Sequence, residues 1–114
     1  MATITVKRIY DPPANTDGYR VLVDRLWPRG VSKEKAHIDL WLKEVAPSTE
    51  LRQWFHAHMD QWETFSRRYD AELYGSAALA ELKALVKKHP HVTLLYASRE
   101  ETQNHALLLA KLLH

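Results

Sequence analysis

Two short, largely apolar runs constrain the fold of this chain more than any other feature. The runs are Val21–Val23, within YRVLVDRL, and the segment HVTLLYAS at residues 91–98. Their length and β-branched content are typical of strands that are buried on both faces of a parallel sheet. A block of helical patterns separates them, and another helical pattern follows the second run. This order predicts a parallel crossover and a small, layered α/β fold with a short, mostly parallel sheet.

A further strand is predicted at residues 3–9, TITVKRI, where β-branched residues alternate with Lys and Arg. The loop YDPPANTDG connects it to the strand predicted at residues 19–26, YRVLVDRL. A loop of this length fits an antiparallel hairpin, whereas a parallel crossover usually needs more residues. The direction of the first strand therefore stays open at this point.

About five helices are predicted after residue 31. Apolar residues share one face of the first of them, which begins near Ser32 and ends before Pro47: Ile38, Trp41, Leu42 and Val45. Caps or capping boxes mark the starts of the later helices: Ser48, Asp60 with Glu63, Ser76, and Ser98 with Glu101. The last helix contains NHALLLAKLL, which is so apolar that we expect it to be packed nearly all round. We expect residues 1–114 to form a single domain.

The composition excludes several classes of function. The 114 residues include no cysteine, which rules out disulfides, thiolate metal sites and a catalytic thiol. The formal net charge is only +2, so the chain has no basic stripe for neutralising many phosphates. The N-terminus shows no signal-peptide pattern, and no apolar stretch is long enough to cross a bilayer. We expect a cytoplasmic protein with no membrane partner.

Polar and aromatic side chains gather where two of the predicted strands end. In open α/β sheets, ligands bind beyond the carboxyl ends of the strands, so these residues face one cleft if the two strands are neighbours. Arginine forks and free helix amides bind phosphate or carboxylate groups. The predicted ligand-binding residues are Arg25, Trp27, Arg29, Tyr96, Ser98, Arg99 and Asn104. The predicted acid/base residues are Asp24, which would orient an arginine or serve as a base, and His105, which would donate to an anion or shuttle a proton.

Each of these residues also has a purely structural interpretation. Asp24 and Arg25 can pair with each other and tie loops to the sheet. His105 can cap or pack near a helix start, and Trp27 can cover the core. Arg29 is the residue for which a function is favoured, because its neighbours Pro28 and Gly30 hold the backbone in a tight loop.

Other patterns give weaker support for a function. His56 with His58, and His89 with His91, resemble metal-ligand spacing, but residues two apart on a helix point to different faces, so no metal site is predicted. The chain has three glycines and no Gly-rich phosphate loop, so no nucleotide cofactor is predicted. The helices between residues 48 and 73 resemble a helix-turn-helix, but their aromatic stripe indicates core packing.

Three segments carry a family resemblance: VDRLWPRG, KEVAPS and LLYASREETQNHA. In order along nearly the whole chain, they resemble the YeaO-like branch of the family called domain of unknown function 488. The resemblance implies a compact bacterial α/β protein but no settled activity. The wider family often carries a Cys-His-Arg run after the last strand, where this chain has Asn104, His105 and Ala106. Chemistry that needs that thiol is therefore not expected here, although the location of the site is reinforced.

Three hypotheses follow from the sequence. The first is a protein that binds an anionic small molecule through Arg25, Arg29 and Arg99, with catalysis left open. The second is a nucleic-acid-associated protein, in which a base stacks on Trp27 or Tyr10 and a basic face tracks the phosphates: Lys7, Arg8, Arg52, Arg67 and Arg68. The third is a structural module in which the charged cluster is an internal ion-pair network. The oligomeric state is left open by all three.

Overall fold

The computed structural model describes residues 3–113, which form a four-stranded sheet and five α helices. The strands are β1 (Thr3–Arg8), β2 (Tyr19–Leu22), β3 (Leu40–Trp41) and β4 (His91–Tyr96). They lie in the order β1-β4-β2-β3, and every pairing is parallel. The helices are α1 (Lys33–Ala36), α2 (Thr49–Ala57), α3 (Trp62–Leu73), α4 (Ala77–Lys88) and α5 (His105–Leu113). The α/β class and the parallel sheet predicted from the sequence are confirmed.

The core lies on both faces of β2 and β4. Val21 and Leu22 are fully buried and, as consecutive strand residues, point to opposite faces. Val21 packs in the larger cluster, with side chains of α2, α3, α4 and α5, and Leu22 packs in a smaller cluster around Leu95 and Ala36 of α1. The long helices therefore cover one face, while α1 and loop residues cover the other. This two-sided burial explains why the central strands contain continuous apolar runs.

The first strand is parallel to β4, which settles the direction that the sequence left open. The chain then returns to the start of β2 through residues 9–18, which contain a short 3-10 turn at Asn15–Asp17 instead of a crossover helix. Gly18 ends this connection with a φ of 67°, and a Cβ there would lie 2.3 Å from the carbonyl oxygen of His91. A glycine is required because the backbone of β4 passes so close.

A buried ion cluster fixes the same connection. The Asp17 carboxylate pairs with the buried guanidinium of Arg20 and, at 3.2 Å, with the Lys7 ammonium. Burial raises the pKa of Asp17, but hydrogen bonds from the Ala14 amide and from the Lys7 and Arg20 side chains outweigh it, so this pKa lies below its usual value. The Asp17 carbonyl also accepts a hydrogen bond of 2.6 Å from Thr93 in β4. The connection is therefore held to the sheet by charged and neutral bonds.

The prediction of one helix between Ser32 and Pro47 is wrong. The structure has the single turn α1, which is capped by His37 in the left-handed conformation (φ 49°) and is followed by β3 and a 3-10 turn at Lys43–Val45. Ile38 and Trp41 pack with the smaller cluster, whereas Leu42 and Val45 belong to the larger one. The helical spacing thus predicted one apolar face for four residues that pack on opposite faces of the sheet.

Several predicted element ends also differ from the structure. The strand predicted to reach Leu26 ends at Leu22. The helix after Asp60 begins at Trp62 without a side-chain cap, and the last helix begins at His105 instead of near Ser98. α5 is not packed all round, because Leu112 is 41% exposed. The Ser48 and Ser76 caps are confirmed by bonds of 3.1 Å to the amides of Leu51 and Leu79.

Candidate functional site

A cavity of about 470 Å³ opens at the carboxyl ends of β2 and β4. Leu22 of β2 is paired with Leu95 of β4, so the segments that follow these strands leave the sheet side by side. All but one of the predicted site residues line the cavity. Those that line it are Asp24, Arg25, Trp27, Arg29, Ser98, Arg99, Asn104 and His105. The exception is Tyr96, a buried residue of β4 that is absent from the cavity wall.

Asp24 binds His105 and the backbone of β4, and not the neighbouring arginine. Its Oδ2 accepts a hydrogen bond of 2.9 Å from the Ala97 amide, and its Oδ1 lies 3.2 Å from Nε2 of His105. The same Nε2 lies 2.9 Å from the carbonyl oxygen of Val23, which can only accept, so Nε2 carries a proton. Within residues 3–113, Nδ1 of His105 makes no hydrogen bond and is the ring nitrogen left for other chemistry.

The guanidinium of Arg25 binds other residues of the protein. Its Nε and Nη2 donate hydrogen bonds of 3.1 Å to the carbonyl oxygens of Pro47 and Ala46, and its Nη1 lies 3.7 Å from Glu44. No Asp24–Arg25 ion pair occurs in the described part of the chain. The side chain therefore joins the segment after β2 to the segment that leads into α2, and leaves little of its donor capacity for a ligand.

Asn104 caps α5, and both polar atoms of its side-chain amide bind the protein. Its Oδ1 accepts a bond of 3.0 Å from the Leu107 amide, and its Nδ2 donates to the Glu100 carbonyl at 2.8 Å. The side chain is buried, with the residue only 4% exposed. Ser98, which was expected to cap this helix, instead accepts a hydrogen bond from the Glu100 amide at 3.1 Å in a local turn.

The segment between Trp27 and Val31 is a closed loop on which Arg29 is held outward. The Trp27 indole donates a bond of 2.6 Å to the Val31 carbonyl, and Gly30 adopts a φ of 73°. The Tyr10 hydroxyl donates to the Arg29 carbonyl at 3.0 Å, which ties the loop to the end of β1. The backbone of Arg29 is thus fixed, while its side chain is exposed at the cavity.

The exposed charges at the mouth of the cavity are basic. Arg29, Arg52 and Arg99 line it, and none of the three has a carboxylate within 4.0 Å in the described residues 3–113. With Arg25, the wall holds four arginines against one acid, Asp24. Asp24 already accepts hydrogen bonds from the protein, so the local electrostatic potential favours an anion.

Part of the cavity wall was not predicted from the sequence as a ligand site. Arg52, Phe55 and His56 reach it from α2, Phe65 from α3 and Tyr10 from the loop after β1. The sequence assigned Arg52 to a nucleic-acid face and Phe55 and Phe65 to the core. The spacing of Arg52 and His56, four residues apart on α2, places both on one helix face, but only the packing of α2 against the sheet brings that face to the cavity.

An aromatic series runs from α2 through α3 to His105. The ring centroids of Phe55 and Phe65 are 4.4 Å apart, those of Phe65 and Tyr69 are 5.9 Å apart, and those of Tyr69 and His105 are 6.1 Å apart. Burial, followed by the charge of Glu72, raises the pKa of Tyr69 well above 10, so its hydroxyl stays protonated and donates to the Val45 carbonyl at 2.6 Å. Burial also raises the pKa of Tyr96. Both phenols are neutral at physiological pH.

The basic residues grouped for a nucleic-acid face have separate contacts in the described structure. Lys7 is bound to Asp17 and to the Pro12 carbonyl, and Arg8 donates to the carbonyls of Ala97 and Ser98. Arg52 lines the cavity, whereas the Arg68 guanidinium lies over the Trp54 ring at 4.4 Å. Tracking a phosphate backbone requires several free cations on one surface, and Lys7, Arg8 and Arg68 already contact other parts of the protein.

The described residues contain neither a candidate membrane span nor a candidate metal cluster. No helix within residues 3–113 combines the length and the apolar character that a membrane span requires. In the same range, no three His, Asp or Glu side chains come together as a candidate metal site. The histidine pairs at residues 56 and 58 and at 89 and 91 are thus not part of such a group.

Fold and site together define a class: a small, all-parallel α/β protein whose cleft at the carboxyl edge of the sheet is lined by arginines and aromatic rings. The chain belongs to the inactive DUF488-N3 subclade, whose family model matches residues 3–114. This confirms the DUF488 resemblance read from the sequence.

Relatives match the chain over nearly its full length. Uncharacterized protein YeaO of Escherichia coli K12 is 49% identical over 107 residues, which are 94% of this chain and 93% of the relative. Uncharacterized protein Rv3073c of Mycobacterium tuberculosis H37Rv is 44% identical over 111 residues, covering 97% of this chain and 93% of the relative. Uncharacterized protein Mb3100c of Mycobacterium bovis matches to the same extent. No solved structure gives a significant match.

Proposed function

We propose that this protein binds a small anion, bearing phosphate or carboxylate, in the cavity between the ends of β2 and β4. The observation that carries the proposal is the set of three exposed arginines, Arg29, Arg52 and Arg99, around one cavity with no carboxylate partner in the described residues. Surface arginines without partners are common, but their convergence on a cavity of this size favours a ligand.

The proposal divides the arginines by role. Arg29, Arg52 and Arg99 contact the anion, because their guanidinium groups have no protein hydrogen bonds within residues 3–113. Arg25 supports the wall through the carbonyls of Ala46 and Pro47. The fork geometry of each free guanidinium suits two oxygens of one phosphate or carboxylate.

The same site is poorly equipped for covalent chemistry, which favours binding without turnover. The chain has no cysteine, and the position where the wider family often has one is Asn104, whose side chain is committed to capping α5. Ser98 makes no hydrogen bond to His105 in the described chain. The name of the subclade, which calls it inactive, agrees with this interpretation.

His105 and Asp24 then serve as an oriented pair at the floor of the site. Asp24 and the Val23 carbonyl hold the proton on Nε2, so a neutral ring offers the Nδ1 lone pair and a protonated ring offers a second donor.

The test is calorimetric titration of inorganic phosphate into the wild type and single arginine variants. Arg29→Gln and Arg52→Gln should each raise the Kd roughly tenfold or more, because a charge-assisted hydrogen bond contributes about 1.5–3 kcal/mol. Arg67→Gln is the matched control, since Arg67 is also exposed but lies outside the cavity wall. Equal Kd values for all four proteins would refute the proposal.

A second arm separates the anion pocket from nucleic-acid binding. A short single-stranded oligonucleotide is titrated at two salt concentrations. A phosphate-tracking surface loses affinity steeply with salt, whereas a pocket with few charge contacts responds weakly. Tight oligonucleotide binding that depends on Arg67 as much as on Arg29 would replace the proposed pocket with a surface.

A further inference from the structure

We infer that the ligand of this cavity is an anion attached to an aromatic ring. This inference rests on the proposed function and adds the chemical class of the ligand body. The inference follows from the side chains that line the interior of the cavity, because the charged residues at its mouth account only for the anionic head of the ligand.

The volume is the first argument. The cavity measures about 470 Å³, which falls within the range of roughly 300–1,000 Å³ for sites that enclose small organic ligands. An inorganic phosphate ion has five heavy atoms and fills a small part of that space. Such a pocket is built for a head group with a body attached.

The rings on the wall are the second argument. Trp27, Phe55 and Phe65 line the cavity from three different elements: the loop after β2, α2 and α3. Phe65 is buried against Trp62 and Tyr69, with centroids at 5.5 Å and 5.9 Å. Phe55 and Trp27 are only partly buried and so keep ring surface open to the cavity. A ligand ring that stacks on such a ring, or meets it edge-on, gains more than the burial of its apolar area.

The separation of the two kinds of residue is the third argument. Arg29, Arg52 and Arg99 are exposed, whereas Phe55 and Trp27 are half-buried and Phe65 is buried. The Trp27 ring is held by its bond to Val31 and by its edge contact with Trp41 at 5.4 Å. Charge at the mouth and fixed rings inside match a ligand with an anionic end and a flat apolar end.

The experiment compares three phosphate monoesters that share one head group: methyl, cyclohexyl and phenyl phosphate. Calorimetric Kd values are measured for the wild type, Phe55→Leu and Arg52→Gln. Phenyl phosphate should bind at least tenfold more tightly than methyl phosphate. It should bind roughly two- to twelvefold more tightly than cyclohexyl phosphate, which is the aromatic contribution beyond burial of apolar area.

The variants assign these effects to the two halves of the site. Phe55→Leu should reduce the preference for phenyl over cyclohexyl phosphate, and part of it should remain because Trp27 and Phe65 still line the cavity. Arg52→Gln should weaken all three esters by one common factor. Tyr74→Leu is the matched control for loss of a ring, because Tyr74 is 91% exposed and lies outside the cavity wall.

The outcomes distinguish the inference from the proposed function. Equal Kd values for the three esters, with an Arg52→Gln effect retained, would overturn the aromatic body and leave the anion site intact. A failure of all three esters to bind would overturn both. The comparison of the esters on the wild type decides the inference even if Phe55→Leu does not fold.

Discussion

Arg25 and Arg29, four residues apart in the chain, should respond in opposite ways to truncation. Arg25→Ala removes two charge-assisted hydrogen bonds, of 3.1 Å each, to the carbonyl oxygens of Pro47 and Ala46. Such bonds contribute about 1.5–3 kcal/mol each, but the Arg25 side chain is 29% exposed, so water replaces part of them. The ion pair with Glu44 adds little, because that carboxylate is 67% exposed.

The expected loss of unfolding free energy for Arg25→Ala is therefore about 2 kcal/mol, or roughly 8 °C in Tm for a chain of this size. Arg29→Ala removes an exposed side chain without protein bonds and should change the stability by less than about 0.5 kcal/mol, while weakening phosphate binding. Urea unfolding of both variants measures the first effect, and phosphate titration measures the second. A stability loss as large for Arg29→Ala as for Arg25→Ala would refute the division of roles and favour the internal ion-pair network.

Three further changes test other parts of the structure. The lowered pKa of Asp17 means that, as the pH falls, the unfolded chain takes up a proton at this carboxylate before the folded chain does, so stability should fall as the pH drops below about 4. Asp17→Asn should be less stable than the wild type at pH 7. If the variant lost stability in acid as steeply as the wild type, the role of Asp17 would be contradicted. Asn104→Ala should lower the unfolding free energy by about 1 kcal/mol in urea, and Asn104→Asp, which keeps a capping oxygen, should lose less. Tyr69→Phe leaves the Val45 carbonyl without its donor and should cost about 1–2 kcal/mol by thermal unfolding, with Tyr19→Phe as a control; an unchanged Tm would show that the bond is dispensable.

The sequence predicted those parts of the fold whose pattern depends on local chemistry. β2 and β4 were found because burial on both faces requires continuous apolar residues, as at Val21 and Leu22. β3 was missed because it has two residues and pairs with β2 only through the tertiary fold. No pattern of spacing distinguishes such a strand from the helical periodicity around it.

The candidate site was predicted at its edge of the sheet but not in its internal bonding. The ends of neighbouring parallel strands meet, which placed Asp24, Arg29 and His105 together. The partner of Asp24 could not be predicted, because the choice between Arg25 and His105 depends on distances that only the packed structure sets. The contribution of α2 is hidden for the same reason: Arg52 carries no local sign of facing a cavity.

The order of the strands has a consequence for folding during synthesis on the ribosome. Within residues 3–113, β1 pairs with β4 and with no other strand, and β2 pairs mainly with β4. The chain emerges N-terminus first, so its first strand has no partner until residues 91–96 have been made. Pairing across so much sequence is a slow step in folding. The two carboxyl ends that form the cavity also meet only then, so the cavity forms only after β4 has been made.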